Sequence, residues 1–225
     1  MTVDVNSLKF YAAVATAGGS IDLSNEETSG VVGNEISKIT SSERSTGTTR
    51  YVKQFLRNEN GEVWAGVRVY LSARTQLSPK TDIAFALTGT KSMLESASTL
   101  SGTGTVTATG WISTTADLRQ ELFPGEMVYN STNDTLQQAQ RVESVGSSHI
   151  KLEAGYYGTL GSGVGLSVAP ATMALYISPV SIDDPVSPLV DIQSMGICGV
   201  WKRYLVWDGC PQFTNDWFTL TFEED

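Results

Sequence analysis

The sequence predicts an all-β protein, a β-sandwich that carries a small inserted β-barrel. Three observations favour this class. Glycine is frequent, charged residues make up only 17% of the 225 residues, and hardly any stretch has the apolar spacing of a long helix. Short runs of alternating apolar and polar residues recur instead between turn signals. A chain of this length can bury a sizeable core, as one all-β domain or as two small ones.

The C-terminal stretch contains the clearest strand signals, and we expect it to form the core hairpin. Apolar and polar residues alternate in 218–222 (FTLTF), as is typical of a strand with one buried and one solvated face. The run 200–207 is interrupted only by Lys202 and Arg203, which predicts a strand covered on both faces with a cationic middle. Asp208-Gly209 supplies the turn that would join the two strands.

Four strands are predicted before residue 90, in the segments 8–14, 49–56, 63–71 and 83–87. The first is a candidate for a sheet edge. Between the second and third, Asn60-Gly61 predicts a tight hairpin, because both residues tolerate positive φ. A turn punctuated by Pro79 precedes the fourth strand. We interpret the hydroxyl-rich segment 41–49 as a loop without a helix.

The composition changes at Lys91, after which the predicted strands are short, roughly five residues each. Pro124-Gly125 turns the chain into a strand at 127–129. The segments 141–145 and 149–152 are separated by a Gly-Ser-Ser turn and predict a hairpin. Together these signals indicate a compact barrel of about five strands.

Large aromatic residues lie on both sides of this region and are sparser within it. We therefore predict a discontinuous main domain, residues 1–92 and 173–225, that forms a β-sandwich of the jelly-roll or Ig-like type. The inserted domain, residues 93–172, would be a small barrel of the SH3-like or OB-like type.

Charge and cysteine content exclude several classes of protein. The formal net charge of −9 argues against a nucleic-acid partner, which requires a basic face. No apolar run approaches the roughly 20 residues of a membrane span, and the N-terminus lacks a leader pattern, so we expect a soluble protein made in a cytoplasm with no membrane partner. Cys198 and Cys210 are the only cysteines, and we expect free thiols, although their places flanking one hairpin leave a disulfide open.

The sequence predicts no catalytic residue, no metal site and no cofactor, and hence not an enzyme. His149 is the only histidine, and we expect it on a strand surface. The glycines of 158–168 lack the lysine of a phosphate loop and lead into a strand. Glu26-Glu27 and Asp183-Asp184 lack the spacing of a calcium loop. A glycosidase with carboxylates on distant strands leaves no local pattern, so that class stays open here.

The five tryptophans allow two interpretations. We assign Trp201, Trp207 and Trp217 to core and inter-sheet packing, because they lie in or beside strong strand signals. Trp64 and Trp111 are less clearly assigned to the core. An exposed tryptophan would first indicate an interface with a neighbouring subunit, and a sugar-stacking face is the alternative.

Four segments resemble a group of structural proteins from tailed-bacteriophage virions. They are ITSSERSTGTTRYVKQFLRNENG, VWAGVRVYL, DIAFALTG and the closing VWKRYLVWDG. The inserted LFPGEMVYNSTNDTLQQAQRVESVGSSHIKL is similar to a small phage β-module. The resemblance covers most of the chain, and its motifs are structural, so it implies no catalytic residues.

This resemblance implies a structural component of a bacteriophage virion, assembled in the cytoplasm of the host bacterium. The first expectation is a tail, baseplate or fibre-attachment subunit that packs with copies of itself and with other virion proteins in a symmetric assembly. A head decoration (cement) protein is the alternative. A carbohydrate-binding module that recognises a host-surface glycan is a competing class, and a wall-degrading enzyme is a third.

Overall fold

A computed structural model describes the chain over residues 4–27, 39–74, 80–106, 110–154, 161–211 and 218–225. Within these ranges it contains fifteen β-strands and one short α-helix. The strands form antiparallel sheets of five, seven and three strands. The predicted all-β class is therefore confirmed.

The strands are β1 Leu8–Ala15, β2 Gly18–Glu26, β3 Thr48–Asn58, β4 Trp64–Arg74, β5 Thr81–Thr88, β6 Ser98–Thr99, β7 Gly104–Val106, β8 Trp111–Thr114, β9 Met127–Asn130, β10 Gln140–Val145, β11 His149–Leu152, β12 Leu166–Val168, β13 Leu189–Ile192, β14 Ile197–Val206 and β15 Phe218–Glu224. The helix, α1, is Ser41–Thr46.

Two of the sheets face each other as a sandwich. The five-stranded sheet has the order β2-β1-β3-β14-β5, and the three-stranded sheet has the order β13-β4-β15. Apolar side chains from both sheets form one buried cluster between them. Its members include Leu56, Phe85, Leu87, Cys198 and Val200 from the first sheet and Trp64, Val67, Val69, Leu71, Val190 and Ile192 from the second.

The predicted C-terminal hairpin is wrong, because its two strands lie in different sheets. Strand β14 pairs with β3 on one side and with β5 on the other, so neither of its edges is open to β15. Strand β15 pairs instead with β4. The expected turn is present at Asp208-Gly209, where Gly209 has φ 69°. Within the predicted run 200–207, residues 200–202 and 206 are buried, 203–205 are partly buried and Trp207 is exposed, so the expectation of a strand covered on both faces holds only for part of that run.

The predicted hairpin at Asn60-Gly61 is also wrong, since β3 and β4 belong to opposite sheets. Neither residue has the positive φ that a type I′ turn requires. The buried Asn58 organises this corner instead. Its Nδ2 donates to the carbonyl oxygens of Glu62 at 2.9 Å and Gln193 at 3.2 Å, and its Oδ1 accepts from the Asn60 N–H at 3.0 Å.

Strand β2 was not predicted, and its presence moves β1 from the sheet edge to the interior. Gly18 and Gly19 are the first two residues of β2. Their φ values are 102° and 98°, a conformation that glycine adopts at little cost, and the chain reverses there into β2. Strand β1 therefore lies between β2 and β3, and among the described strands β2 is the outer one. Strand β13 was not predicted either.

The helix α1 contradicts the prediction of a helix-free loop at 41–49. Thr40 and Glu43 form a capping box: the Glu43 N–H donates to Thr40 Oγ1 at 3.2 Å, and the Thr40 N–H donates to Glu43 Oε2 at 2.8 Å. The spacing T-x-x-E is the sequence signature of such a start. Arg50 also donates to Glu43, which holds the helix against β3.

The seven-stranded sheet closes into a barrel, as predicted, but with more strands than the five expected. Its order is β6-β12-β9-β10-β11-β8-β7. Closure comes from Gly104 of β7 and Val164, just before β12, which exchange two main-chain hydrogen bonds of 2.8 and 2.9 Å. The predicted hairpin of 141–145 and 149–152 is confirmed as β10 and β11.

The barrel interior has its own apolar cluster, which shares no member with the sandwich core. The cluster comprises Leu100, Val106, Ile112, Leu118, Leu122, Val128, Val142, Ile150, Leu152, Val164, Leu166 and Val168. Phe123, from the same stretch of chain, packs into the sandwich core instead. The domain boundaries at 92/93 and 172/173 stay a prediction, and Pro79 and Trp217 lie outside the described residues.

Strand β15 provides a test of the register assigned to the sandwich. Leu220 packs against the core and is partly buried, whereas Thr219 is exposed. We expect Leu220→Ala to lower the free energy of unfolding by about 2 kcal/mol, near the low end for such truncations because the side chain is not fully enclosed. Thr219→Ala should cost less than about 0.5 kcal/mol. Urea unfolding midpoints at unchanged slope measure both values, and equal effects would contradict the register.

Candidate functional site: a buried lysine and glutamate

Two charged side chains are enclosed in the protein and have strongly shifted pKa values. Lys53 of β3 is 4% exposed, and Glu126, just before β9, is 2% exposed. Lys53 is three residues from Leu56, which faces the sandwich core, so Lys53 lies on the opposite face of the sheet. Enclosing a charge costs several kcal/mol unless it is paired and hydrogen-bonded. The surroundings of both groups therefore determine what they can do.

The Lys53 ammonium group is held by main-chain carbonyl oxygens. Its Nζ donates to Ser92 at 2.7 Å, to Gly89 at 3.0 Å and to Gly19 at 3.2 Å. An ammonium group has three N–H donors, so these contacts use all of them. This one side chain thus links the start of β2 to the loop that follows β5.

Aromatic rings complete the surroundings of the ammonium group. The Nζ of Lys53 lies 4.8 Å from the ring centroid of Phe55 and 5.8 Å from that of Trp201, distances at which a cation is attracted to the ring face. The Trp201 Nε1–H donates to Ser92 Oγ at 3.1 Å. Gly18 is required beside them, because a Cβ there would lie 2.8 Å from the Trp201 ring.

Gly89 connects the lysine to the glutamate. Its N–H donates to Glu126 Oε2 at 3.0 Å, and its carbonyl oxygen is one of the three that accept from Lys53. The Phe123 N–H donates to the same carboxylate oxygen at 2.7 Å. A Cβ on Gly89 would lie 1.8 Å from the Glu121 carbonyl oxygen, so only glycine fits.

Burial shifts the pKa of each group towards its neutral form. Burial raises the pKa of Glu126 to about 7, although the Phe123 and Gly89 N–H groups and the Lys53 charge oppose the shift. Burial lowers the pKa of Lys53 to about 8, against the attraction of Glu126. Perturbed pKa values of this kind occur in active sites and also in structural ion-pair networks.

The geometry favours a structural role for this pair over a catalytic one. A nucleophilic or proton-transferring lysine must reach a substrate, whereas the Lys53 donors are occupied by carbonyl oxygens and the side chain is enclosed. A surface depression of about 450 Å³ lies nearby, lined by Gly19, Ser20, Thr90, Lys91, Met93 and Ser98. Neither Lys53 nor Glu126 lines it.

The residues singled out in the sequence lie elsewhere. His149 begins β11 on the outside of the barrel, with its ring centroid 5.1 Å from that of Trp111. Glu26 at the end of β2 forms an exposed ion pair with Lys9 at 3.2 Å. Asp184 accepts from the N–H groups of two neighbouring residues in its own loop. Across the described ranges, no three His, Cys, Asp or Glu side chains are grouped so that they could hold a metal ion.

The tryptophan assignments are confirmed for two residues and wrong for two. Trp201 is fully buried and Trp111 is 40% exposed, as expected. Trp64 was expected to be less tied to the core, but it is the first residue of β4 and packs in the sandwich core. Trp207 was assigned to the core, but it follows the last residue of β14 and is 42% exposed. The glycine-rich stretch leads into strand β12 as predicted, although residues 158–160 lie outside the described ranges.

Both cysteines are free and buried, which confirms the expected thiols. Burial raises the pKa of the Cys198 thiol well above its usual range, so this sulfur stays protonated and unreactive at neutral pH. Cys198 is a member of the sandwich core.

Sequence reasoning did not single out Lys53 and Glu126. A signal was present, because Lys53 shares its strand face with Tyr51 and Phe55, and a lone charge in an aromatic row indicates a buried, satisfied group. Glu126 likewise lies between apolar residues in LFPGEMVY. Neither pattern shows that the two groups meet.

Comparison with protein-family models, with curated proteins and with solved structures finds no match for this chain. None of the described helices has the length and apolar character needed to cross a membrane. The resemblance to phage virion proteins stays a prediction.

The shifted pKa of Glu126 gives an expected dependence of stability on pH. Between about pH 4.5 and 7 the folded protein keeps a proton that the unfolded chain releases, so the contribution of Glu126 to stability falls as pH rises. We expect Glu126→Gln to remove this fall in the free energy of unfolding with rising pH. Urea unfolding across this range measures the difference, with the exposed Glu62→Gln as the control. Parallel profiles for wild type and Glu126→Gln would contradict the assignment.

The requirement for glycine at position 89 is a second test of the site. We expect Gly89→Ala to lower the free energy of unfolding by more than about 3 kcal/mol, because the added Cβ meets main-chain atoms that cannot rotate away. At Gly61 nothing lies within 4 Å of an added Cβ. Gly61→Ala should therefore be neutral, or stabilise by up to about 1 kcal/mol. Thermal unfolding of the two variants compares them, and equal melting temperatures would show that Gly89 is not so enclosed.

Proposed function

We propose that the protein is a non-enzymatic structural subunit of a bacteriophage particle, with a tail, baseplate or fibre-attachment subunit as the first placement. The observation that carries an assembly role is a concentration of exposed apolar side chains in one stretch, residues 173–195, here called the apolar segment. A subunit of this kind acts by packing beside copies of itself and beside other virion proteins.

The apolar segment holds six of the eleven large apolar side chains that are exposed in the described residues. These six are Met173, Leu175, Val180, Val186, Leu189 and Met195, with exposed fractions between 37% and 55%. Single exposed apolar residues are ordinary on protein surfaces, and the closeness of these six along the chain supports the proposal that they contribute to an interaction surface.

The backbone of the apolar segment is anchored to the sandwich, so its side chains are presented in fixed positions. The Phe85 N–H donates to the Ile177 carbonyl oxygen at 2.9 Å, and the Leu71 N–H donates to that of Pro179 at 2.8 Å. Ser187 Oγ donates to the carbonyl oxygen of Val69 at 3.0 Å. A surface fixed in this way loses little conformational entropy when a partner docks.

An outer strand within the apolar segment adds to this surface. Strand β13 is part of the segment and pairs with β4 alone, so in the described part of the chain it is an edge of its sheet. Leu189, at the start of β13, is 50% exposed. An edge strand with an exposed apolar residue is a template for side-by-side packing with another chain.

The virion placement is supported by the resemblance of the four strand segments and of the inserted module to phage structural proteins. Assembly in a host bacterial cytoplasm agrees with two cysteines that are free thiols. A head decoration protein would use the same surface, and it remains the alternative placement.

Sedimentation of the purified protein tests the assembly role. We expect the wild type to self-associate with rising concentration and the double variant Val186→Asp/Leu189→Asp to associate at least about tenfold more weakly, because charges would be desolvated without partners. Val14→Asp/Leu23→Asp, also at exposed positions, is the matched control. Melting temperatures of both double variants should stay close to that of the wild type.

Particle composition tests the virion placement separately. Mass spectrometry and reconstruction of purified particles should show the protein in many symmetric copies. A wild type that stays monomeric, together with particles whose assembly tolerates the Val186→Asp/Leu189→Asp variant, would overturn the assembly role.

A further inference from the structure

One outer face of the barrel combines a tryptophan with hydrogen-bonding side chains. Strands β10, β11 and β8 are consecutive neighbours in the barrel wall. Ile112 and Ile150 on these strands point into the barrel core, so the residues that alternate with them point outward. Five of the outward residues, Trp111, Ser113, Glu143, His149 and Lys151, are here called the Trp111 face.

The side chains of the Trp111 face hold one another in place. The ring centroid of His149 lies 5.1 Å from that of Trp111, with 56° between the ring planes. Lys151 is directly opposite Trp111 on the neighbouring strand, and its Nζ is 5.9 Å from the indole centroid. Lys151 also forms an ion pair with Glu143. The indole is 40% exposed on a regular strand, which is a more rigid support than a loop.

We propose that the Trp111 face is a binding site for a neutral oligosaccharide. The face of an indole ring is electron-rich and attracts the polarised C–H groups on the flat side of a pyranose ring. Sugar hydroxyls need donors and acceptors beside that ring. His149, Lys151, Glu143 and Ser113 provide both kinds.

The composition of this face favours a sugar over a protein surface. Its outward side chains include no aliphatic residue, whereas the exposed aliphatic residues concentrate in the apolar segment. A protein interface draws on a desolvated apolar centre. The Trp111 face offers a single ring surrounded by polar groups, which suits a ligand that carries hydroxyls around a small apolar patch.

Charge favours a neutral ligand over a phosphate or an acidic one. The Lys151 cation is balanced by Glu143, and the chain carries a formal net charge of −9. An anionic ligand would meet no uncompensated lysine on this face and a repulsive overall field. A neutral sugar needs no uncompensated lysine and is not repelled by the net negative charge.

Titration with neutral oligosaccharides tests the proposal. The probes are tetrasaccharides of glucose, galactose, mannose and N-acetylglucosamine, added to the full chain and followed by calorimetry and by the indole N–H signals of its five tryptophans. We expect at least one probe to bind and to shift the Trp111 signal. Trp111→Ala should weaken binding by about tenfold or more, and Trp111→Phe, which keeps a ring, should weaken it less.

Trp207→Ala is the matched control, because Trp207 is 42% exposed and lies on the sandwich. It should leave the affinity unchanged, while Lys151→Met and Glu143→Gln should each weaken binding severalfold. If none of the four probes binds, or if Trp207→Ala and Trp111→Ala have equal effects, the proposal is overturned. Should Trp111→Ala fail to fold, the Trp111→Phe affinity and the wild-type indole shifts decide the question. Self-association is a separate measurement, so a failure here leaves the assembly role untouched.

Discussion

The lysine enclosed on the outer face of the five-stranded sheet sets a constraint on the surrounding loops. Strand β3 places Lys53 among aromatic rings, where its charge is tolerated only if every N–H finds an acceptor. The acceptors come from the start of β2 and from the loop after β5, and Gly89 in that loop also binds Glu126 just before β9. Sandwich and barrel strands are therefore tied together by one small set of hydrogen bonds. Loss of any partner would leave a charge without compensation.

A buried polar side chain also connects separate segments where the chain crosses between the sandwich sheets. The amide of Asn58 makes contacts with both the β3–β4 corner and the β13–β14 turn, and so replaces the hydrogen bonds that a regular hairpin would have made. Strand β14 occupies the interior of its sheet, and among the described strands β2 and β5 are the outer strands of the five-stranded sheet and β13 and β15 those of the three-stranded sheet. Buried polar side chains in this protein thus hold separate segments of the chain together, whereas the outer strands lie at the periphery of the sheets.

The interior and the surface of this protein differ in the chemistry that they offer. Lys53 and Glu126, whose pKa values are shifted by burial, are enclosed and hydrogen-bonded to main-chain atoms, an arrangement suited to rigidity. The features that remain for recognition are two surfaces of different chemistry: the aliphatic apolar segment on the sandwich and the aromatic, polar Trp111 face on the barrel. A subunit that packs beside its neighbours with one surface and meets a sugar with another would use both parts of the fold. Neither role requires a reacting group.

Sequence alone determined the all-β class and most of the strands, because alternation and turn residues act over a few neighbouring positions. Segments 83–87 and 149–152 are strands for that reason. Only the tertiary structure decided which strands pair. The Asn60-Gly61 signal favours a hairpin locally, but burial of β3 and β4 in opposite sheets outweighs it. Trp64 is buried because β4 packs in the sandwich, and Trp207 is exposed beyond the end of β14. The site was least predictable, since Lys53 and Glu126 are 73 positions apart and their shared contact with Gly89 exists only once the loops are packed.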